Sequence, residues 1–437
     1  MSAHFPPLKA SFHTLGCKLN FAETSVIGKL LSDKGFMRVD EDADPDICVV
    51  NTCSVTEVAD KKGRQLIRRL HQRHPDAAIV VTGCYAQLKK EEVASLPGVA
   101  VVAGSNEKLL LDTFIDRWLS ERRQIVEVMP ARDIREFRPS CERGDRTRYF
   151  LKVQDGCDYW CTYCTIPMAR GRSRSGTIEN IVAQARDVAR EGGREIVITG
   201  VNVGDFGKGR DDTFFDLIKA LDEVEGISRF RISSIEPNLL TPDIIEWVAL
   251  SARAFMPHFH IPLQSGSDKV LELMRRHYDT ALFASRVRLI RELMPHAFIG
   301  VDVMAGTRGE TPVEWERSRA FVASLPVQQL HVFPYSERPG TRALEIDGAV
   351  SQEEKHRRVS ELISLGNAKY REFRRAAAGT ERPVLWEAPH HGSEMMHGFT
   401  DNYLRVAVPH NPLLVNTITN VRIGEPIDGD SLSAVII

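Results

Sequence analysis

The first hundred residues alternate short apolar runs with longer amphipathic stretches. Runs of about five apolar residues predict buried strands, and apolar positions spaced three or four apart predict helices. The predicted strands are 11–15, 46–51, 78–82 and 99–103, and the predicted helices are 21–32 and 58–73. Strands that alternate with helices favour a mostly parallel sheet. The chain is therefore predicted to begin with an open parallel α/β domain.

The same alternation resumes at residue 149 and continues for nearly two hundred residues. The predicted strands are 149–153, 195–199, 229–233, 259–263, 298–303 and 330–333. The predicted helices between them are 177–190, 214–223, 242–250, 282–293 and 313–324. Six such repeats fall short of the eight that close a barrel, so this region is predicted to form a partial (β/α)6 barrel.

The last part of the chain changes character. A charged helix is predicted over 353–378, and short β-rich runs follow at 383–386, 403–408 and 420–423, separated by turn residues. Short strands with such turns predict a small antiparallel β-barrel. The fold class is therefore α/β with a C-terminal barrel, and the predicted domains are 1–140, 141–378 and 379–437.

Composition narrows the class of protein. The chain has 437 residues, of which 43% are hydrophobic and 27% charged, and its net charge is −2. This is ordinary globular composition, and any contact with RNA has to come from a local basic patch. Eight cysteines in this length do not form a disulfide scaffold. Residues 1–10 lack the pattern of a signal peptide, and no apolar run reaches the ~18–20 residues that span a bilayer. We expect a cytoplasmic protein with no membrane segment.

Three cysteines, Cys157, Cys161 and Cys164, share one loop in the pattern C-x3-C-x2-C. A zinc site takes four ligands and a redox dithiol two, whereas three thiolates suit an iron–sulfur cubane with one iron left open. The alternative is a zinc knuckle that uses a nearby histidine. It is disfavoured because no histidine lies between residues 75 and 257.

Three further cysteines occupy equivalent places in the first domain. Cys17, Cys53 and Cys84 each come just after a predicted strand. The carboxyl ends of parallel strands line one crevice, so these thiols are predicted to converge and to hold a second cluster with an open iron. The alternative is three unrelated buried cysteines. Cys48 is predicted to lie in the core and Cys141 in an exposed connector.

Several motifs resemble one enzyme family. The C-x3-C-x2-C loop is similar to the cluster motif of radical S-adenosylmethionine (SAM) enzymes. The blocks Thr-Leu-Gly-Cys-Lys-Leu-Asn (14–20), Asn-Thr-Cys-Ser-Val-Thr (51–56) and Thr-Gly-Cys-Tyr-Ala-Gln (82–87) resemble the methylthiotransferases. The resemblance implies a radical-SAM barrel, a C-terminal TRAM-like barrel, two [4Fe–4S] clusters held by the six cysteines, and SAM. One SAM would donate a methyl group to sulfur, and a second would yield the radical that activates the C–H bond.

Residues that contact SAM are also implied by the resemblance. The blocks 196–202 and 260–268 look like family segments that approach the cofactor. The implied cofactor-binding residues are Tyr163, Thr199, Asn202, Ser234 and Gln264. The alternative for each strand-end residue is a hydrogen bond that only shapes its loop.

Basic residues give the candidate RNA surface. The helix over 58–73 carries six positive charges in thirteen residues, with no acid among them. The terminal barrel has a net charge of −4, so its contact would depend on Arg405 with Phe399 and Tyr403. The predicted RNA-binding residues are Lys61, Arg64, Arg68, Arg69, Arg170, Arg172 and Arg405. The alternatives are a solvated basic face and a purely structural barrel.

Substrate and partners follow from the resemblance. The blocks 14–20, 231–237 and 332–341 look most like the subgroup that modifies C2 of N6-threonylcarbamoyladenosine beside the tRNA anticodon. The implied partners are the tRNA anticodon stem-loop and a low-potential donor such as flavodoxin or ferredoxin, and the protein is expected to be a monomer. The alternatives are N6-isopentenyladenosine in tRNA, an aspartate of a ribosomal protein, and a two-cluster electron carrier without enzymatic activity.

Overall fold

The computed structural model describes residues 7–142, 147–389, 392–427 and 429–437. The chain forms two compact units. The first unit contains residues 1–144, 154–175 and 336–341, and the second contains 145–153, 176–335 and 342–437. The division into three domains at residues 140 and 378 stays a prediction.

The N-terminal part of the first unit is built around one parallel sheet. Its strands are β1 (Lys9–Thr14), β2 (Met37–Arg38), β3 (Ile47–Thr52), β4 (Ala78–Gly83), β5 (Val99–Ala103) and β6 (Ile125–Glu127), and β7 (Ser140–Glu142) follows outside it. Its helices are α1 (Lys18–Asp33), α2 (Glu57–Arg73), α3 (Cys84–Leu88), α4 (Lys90–Ala94) and α5 (Leu111–Glu121). The strand order is β2-β1-β3-β4-β5-β6, and every pair is parallel. The predicted open parallel α/β domain is confirmed.

The central strands are buried on both faces. Every residue of β3 and β4 is buried, because apolar surfaces of helices cover each side of the sheet. Val49 packs in one core cluster with Ile27 of α1, and Val50 packs in the other with Ile67 of α2. Successive side chains of a strand point to opposite faces of the sheet. Because both faces are covered here, these strands are continuous apolar runs.

The region after residue 147 contains the next strands and helices. The strands are β8 (Tyr149–Lys152), β9 (Gln154–Asp155), β10 (Arg174–Ser175), β11 (Glu195–Thr199), β12 (Arg229–Ile232), β13 (His258–Gln264), β14 (Phe298–Ala305) and β15 (Gln329–Pro334). The helices are α6 (Ile166–Arg170), α7 (Ile178–Arg190), α8 (Phe214–Asp222), α9 (Pro242–Leu250), α10 (Asp268–Leu273), α11 (Thr280–Leu293) and α12 (Pro312–Ser324). Strands β9 and β10 form an antiparallel pair in the first unit.

Six of these strands form the parallel barrel wall of the second unit. Strands β8, β11 and β12 are parallel neighbours, and so are β13, β14 and β15. A parallel bridge between Ser234 and His260 joins the two sets. The strands thus follow one another in chain order, which confirms the predicted partial (β/α)6 barrel. Among the described helices, none is long and apolar enough to cross a bilayer.

The chain ends in a helix and a small closed barrel. Helix α13 spans Gln352–Ala377, and the barrel strands are β16 (Glu381–Trp386), β17 (Met395–Thr400), β18 (Arg405–Pro409), β19 (Ile418–Pro426) and β20 (Leu432–Ile436). The barrel order is β16-β17-β18-β20-β19. All pairs are antiparallel except β18 with β20. The predicted C-terminal β-barrel is confirmed.

A buried charge cluster joins this barrel to the parallel strands. Arg231 donates to both carboxylate oxygens of Glu195, at 2.9 and 3.3 Å, and to the carbonyl oxygen of Thr400 at 2.8 Å. Arg229 donates to the carbonyl oxygen of Phe399 at 2.8 Å. Burial alone would raise the pKa of Glu195, but the surrounding guanidinium groups hold that pKa below its ordinary value. The barrel is therefore an integral part of the second unit.

The aromatic residues of the barrel take part in the same interface. Arg148 donates to the Tyr403 hydroxyl at 3.0 Å, and its guanidinium lies 4.5 Å from the centre of the Phe399 ring. The Tyr403 ring lies 4.6 Å from the His258 ring. Both rings therefore pack against neighbours within the unit, and a role for Phe399 and Tyr403 in RNA contact stays a prediction.

We expect Glu195→Gln to destabilise the second unit strongly. The change removes the buried carboxylate that Arg229 and Arg231 share, and breaking a buried ion pair costs about 3–5 kcal/mol. Urea unfolding followed by intrinsic fluorescence should show a lower midpoint than the wild type. Glu225→Gln, at an exposed site, is the matched control. Equal midpoints for the two variants would contradict the assignment.

Candidate active site

The first triad consists of Cys17, Cys53 and Cys84. Cys17 lies between β1 and α1, Cys53 follows β3 directly, and Cys84 is the first residue of α3 after β4. Strands β1, β3 and β4 are neighbours, and Thr52 is aligned with Gly83 in the register of the last two. The structure therefore brings the three thiols to one edge of the sheet.

This edge is the point where the sheet changes its direction of winding. The order β2-β1-β3 places the second and third strands on opposite sides of β1. Connections from the two sides leave a crevice outside the carboxyl ends of β1 and β3, where open α/β sheets bind ligands. Cys17 and Cys53 lie on the two sides of this crevice.

Glycines allow the thiol-bearing loops to approach each other closely. Gly16 has φ +106°, and a Cβ atom on it would lie 2.6 Å from the Cβ of Cys53. Gly83 has φ +96°, and a Cβ atom there would lie 2.4 Å from the carbonyl oxygen of Thr52. Only glycine fits these positions without a shift of the backbone. The close approach of these loops therefore requires the glycine before Cys17 and the glycine before Cys84.

The electrostatic environment of the first triad couples its sulfur atoms. Burial, together with the neighbouring Cys84 and Cys17, raises the pKa of Cys53 to about 12. Burial also raises the pKa of Cys84, while Arg170 and Lys108 act to lower it. Thiols in such a place lose their protons when a metal centre takes them up, because only the thiolate is a strong ligand.

The donor set at this edge consists of three cysteine thiols. In a cubane three thiolates bind three different irons, so three cysteines suit a cluster that keeps one iron open.

The second triad, Cys157, Cys161 and Cys164, lies on the loop between β9 and β10. The amide of Cys157 donates to the carbonyl oxygen of Gly171 at 3.1 Å, which closes the base of the loop. Gly156 has φ +71°, and a Cβ atom on it would lie 2.0 Å from the carbonyl oxygen of Arg172. The loop is thus fixed at its base by backbone contacts.

Backbone amides point at two of its sulfur atoms. The amide of Tyr159 donates to Sγ of Cys157, and the amide of Ile166 donates to Sγ of Cys164, each at 3.5 Å. Such bonds stabilise negative charge on the sulfurs and tune the reduction potential of a bound cluster. The loop is therefore suited to hold its cysteines as thiolates.

Arg170, at the end of α6, ties the second loop to the first triad. It donates to both carboxylate oxygens of Glu23 at 3.1 Å, to Asp155 at 3.0 Å and to the side-chain oxygen of Asn20 at 2.8 Å. Asn20 and Glu23 lie on α1, in the first turns after Cys17. Burial alone would lower the pKa of Arg170, but Glu23 and Asp155 raise it well above its ordinary value.

Arg170 is consequently not an RNA contact. Its side chain is 2% exposed and its guanidinium is held by two carboxylates. The prediction that it binds RNA is wrong, because a cation so enclosed has no face left for a phosphate. Lys108, which is also buried, pairs with Glu23 at 2.5 Å and completes the cluster.

A second set of contacts joins the segments that follow Cys53 and Cys164. The Thr165 hydroxyl donates to the carbonyl oxygen of Ser54 at 3.5 Å. Arg338 donates to the Ser54 hydroxyl and to Asp60, each at 2.8 Å. Segment 336–341 therefore belongs to the site, although it lies far away in sequence.

The sequence pattern could have identified some of these supporting residues. Glu23 is a buried acid one turn before Ile27 on the apolar side of α1. A charge on an apolar stripe indicates a buried partner. The sequence gives no comparable indication for Arg338, because nothing around it identifies Asp60, 278 residues away, as its partner.

The two remaining cysteines behave differently from each other. Cys48 is fully buried in β3, as predicted. Cys141 was expected to be exposed, but it is half-buried in the short strand β7. The expectation failed because the connector forms a strand.

The predicted SAM-binding residues of the second unit follow its strands. Thr199 ends β11 and donates to the carbonyl oxygen of Leu151 at 3.2 Å, and Asn202 is buried just after it. Ser234 follows β12, and Gln264 ends β13 with φ +66°. A left-handed backbone at a non-glycine residue is often found at functional sites.

The fifth predicted SAM contact, Tyr163, is half-buried in the loop of the second triad. Polar side chains also line the barrel wall between β13 and β14: His260 pairs with Asp302 at 2.7 Å and stacks on His331. The SAM-binding roles stay predictions.

The basic helix α2 is partly neutralised by acids from other elements. Arg69 and Arg73 pair with Glu41, at 2.9 and 3.3 Å, and Arg64 pairs with Glu92 at 3.0 Å. The sequence of the helix does not reveal these acids. Lys61, Lys62 and Arg68 are also exposed on its surface.

Two predicted RNA contacts remain outside this helix. Arg172 is exposed after the second triad, and Arg405 is half-buried at the start of β18. Their role in RNA binding stays a prediction.

Comparison with protein families gives two matches. Residues 9–104 match the uncharacterized protein family UPF0004, and residues 151–322 match the radical SAM superfamily. The first match contains Cys17, Cys53 and Cys84, and the second contains Cys157, Cys161 and Cys164.

The chain is also similar to solved structures and to curated proteins. The radical SAM methyltransferase TsrM from Kitasatospora setae has a TM-score of 0.55 at 15% identity, covering 77% of this chain and 74% of that one, which indicates a shared fold. The threonylcarbamoyladenosine tRNA methylthiotransferase MtaB of Bacillus subtilis is 39% identical over 94% of this chain and 93% of its own length.

More distant curated relatives include both named substrate types. MtaB of Aquifex aeolicus is 34% identical over 86% of this chain and 92% of its own length. The tRNA-2-methylthio-N(6)-dimethylallyladenosine synthase of Pelotomaculum thermopropionicum is 30% identical over 93% of each chain. The chain therefore belongs to the radical SAM methylthiotransferase family.

Proposed function

We propose that this protein is a tRNA methylthiotransferase that adds a methylthio group to C2 of N6-threonylcarbamoyladenosine next to the anticodon. The observation that carries the substrate assignment is the 39% identity to the Bacillus subtilis enzyme over 94% of the chain. It exceeds the 30% identity to the dimethylallyladenosine enzyme over a similar length. The two cysteine triads in one unit support the reaction class.

The residues present fit two [4Fe–4S] clusters and SAM. The first triad and the second triad each offer three thiols, in a crevice and on an amide-lined loop respectively. When bound, these groups supply a sulfur to be methylated and inserted, and a radical that activates the adenine C–H bond. We assign each triad as the ligand set of one cluster.

The chain's own contribution is to position the two ligand sets. The amides of Tyr159 and Ile166 stabilise thiolate charge in the second triad. Arg170 fixes α6 to α1 and places a positive charge beside Cys84. We infer that Arg170 is a positioning residue for both triads.

RNA binding is assigned to the exposed cations of the first unit. Lys61, Arg68 and Arg172 have exposed side chains in the crevice-bearing unit. Arg64 and Arg69 are weaker candidates, since acids pair with both, and Arg405 is a candidate on the barrel. Phosphate contacts of this kind set affinity and orientation.

Further assignments complete the proposal. Tyr163, Thr199, Asn202, Ser234 and Gln264 are proposed to contact SAM. The domains are proposed to be 1–140, 141–378 and 379–437. A low-potential donor such as flavodoxin or ferredoxin is proposed to reduce the clusters of a monomeric, cytoplasmic enzyme.

Nucleoside analysis of a deletion strain tests the substrate. We expect the methylthio form of threonylcarbamoyladenosine to disappear from tRNA and to return with a plasmid copy of the gene. A copy with the second triad changed to alanine is the matched control and should not restore it. Loss of the methylthio isopentenyl nucleoside, or of a modified ribosomal-protein aspartate, would refute the substrate and favour that alternative.

Replacing Cys17, Cys53 and Cys84 together with alanine tests the two-cluster assignment. We expect reconstituted iron to fall from about eight to about four per chain, because one cubane loses its ligands. SAM cleavage should persist while methylthio product is lost. Cys48→Ala, buried in the core, should keep the full iron content. Wild-type protein with about four irons would contradict the assignment.

Replacing Arg170 separates charge from positioning. Arg170→Lys keeps a positive charge but loses the paired bonds to Glu23. We expect it to retain both clusters and yet form roughly ten times less methylthio product per SAM cleaved. Arg170→Gln should in addition lower the reduction potential of the first cluster, because a cation beside it is gone. Wild-type coupling and potential in both variants would show that Arg170 is only a packing residue.

A further inference from the structure

A cleft lies beside the loop of the second triad in the first unit. Its volume is about 420 Å³, within the roughly 300–1,000 Å³ of small-molecule sites. It is formed by the turn at 130–132, the exposed part of the cysteine loop, and α6 with the residues that follow it. Its lining residues are Pro130, Ala131, Arg132, Trp160, Pro167, Met168, Gly171 and Arg172.

One side of the cleft is an exposed indole ring. Trp160 is 52% exposed, although it stands between buried neighbours of the cysteine loop, and its backbone has φ +51°. A bulky residue in the left-handed region is an unfavourable arrangement that the surrounding fold has to maintain. Here the loop keeps a flat apolar face turned to solvent.

The floor of the cleft is a close backbone contact. Gly171 has φ +76°, and a Cβ atom there would lie 2.4 Å from the carbonyl oxygen of Ala131. The turn at 130–132 therefore rests directly on the chain after α6. This contact sets the turn that carries Arg132 beside the segment that carries Arg172.

Two cations complete the lining. The Arg132 side chain is 86% exposed, and its ion pair is a long one of 3.9 Å with Asp133. Arg172 is exposed, and no ion pair involves it within the described part of the chain. By contrast, Arg170 and Arg174, on either side of it, both pair with Asp155. Of the three arginines at 170, 172 and 174, one therefore lies at the cleft and two lie in the interior.

We propose that this cleft binds one nucleotide of single-stranded RNA, with its base stacked on Trp160 and its phosphate held by Arg132 and Arg172. The inference rests on the proposed function, and the nucleotide is one that flanks the modified adenosine in the anticodon loop. An aromatic face beside cations is the usual site for an unpaired base and its phosphate. An acidic protein surface is a poorer match, because such docking needs a patch of about 1,000 Å².

The test measures binding of a 17-nucleotide anticodon stem-loop by anisotropy and by 2-aminopurine placed at one loop position at a time. We expect fluorescence to be quenched at one position on binding. Trp160→Ala should abolish that quenching and weaken binding roughly tenfold, whereas Trp160→Phe should keep most of both. Arg172→Ala should weaken binding and reduce its salt dependence by about one phosphate contact.

Controls distinguish the possible failures. Arg123→Ala, an exposed arginine of the same unit, should leave affinity and salt dependence unchanged. Iron content of each variant shows that the adjacent triad is intact. If wild-type protein binds and modifies the stem-loop but the Trp160 and Arg172 variants bind it equally well, the cleft proposal fails and the proposed function stands.

Two other outcomes also overturn the proposal. If wild-type protein neither binds nor modifies the RNA, the proposed function fails together with the cleft. If the variants bind RNA normally but are reduced more slowly by flavodoxin, the cleft docks the electron donor.

Discussion

The buried guanidinium of Arg170 is the constraint on which the site depends. A cation that is 1% exposed is unfavourable unless hydrogen bonds and opposite charges replace its water. Glu23, Asp155 and Asn20 supply these, and they come from both sides of the site. Moving α6 away from α1 would break the bonds of this guanidinium to Glu23 and Asn20 and leave it buried with part of its hydrogen bonds unmade. The loops that carry the two triads are therefore held in one arrangement.

Arginine has two separate uses in this chain. Arg170, Arg229 and Arg231 are buried and hydrogen-bonded, and they join segments that are distant in sequence. Arg132 and Arg172 are exposed beside a cleft. Arginines thus occur both in the interior and at the surface, and their neighbours in space determine which of the two roles each one has. This explains why a basic run such as 170–174 divides between two roles.

The C-terminal barrel illustrates the same principle for aromatic residues. Phe399 lies on β17 and Tyr403 in the turn after it, and here Arg148 packs on the Phe399 ring while His258 packs against the Tyr403 ring. The proposed RNA surface consequently lies mainly in the first unit. Its aromatic member is Trp160, from the cysteine loop and not from the barrel.

Local patterns predicted the order of elements and the chemistry of the donors. Periodicity predicted the strands 99–103 and 195–199 with their observed bounds, and cysteines after three strands indicated a shared edge. These features are local, because they depend on side chains two to four residues apart. The Gly-Cys pairs are also visible in the sequence, but the close contacts that require the glycines are not.

Which residues contact each other became evident from the three-dimensional packing. The strand order β2-β1-β3-β4 placed the first triad at the crevice, and packing paired Arg170 with Glu23 and Arg338 with Asp60. It also neutralised Arg69 with Glu41 and exposed Arg172. An ion pair or a desolvated ring depends on atoms brought together across tens to hundreds of residues, and no local pattern carries that information.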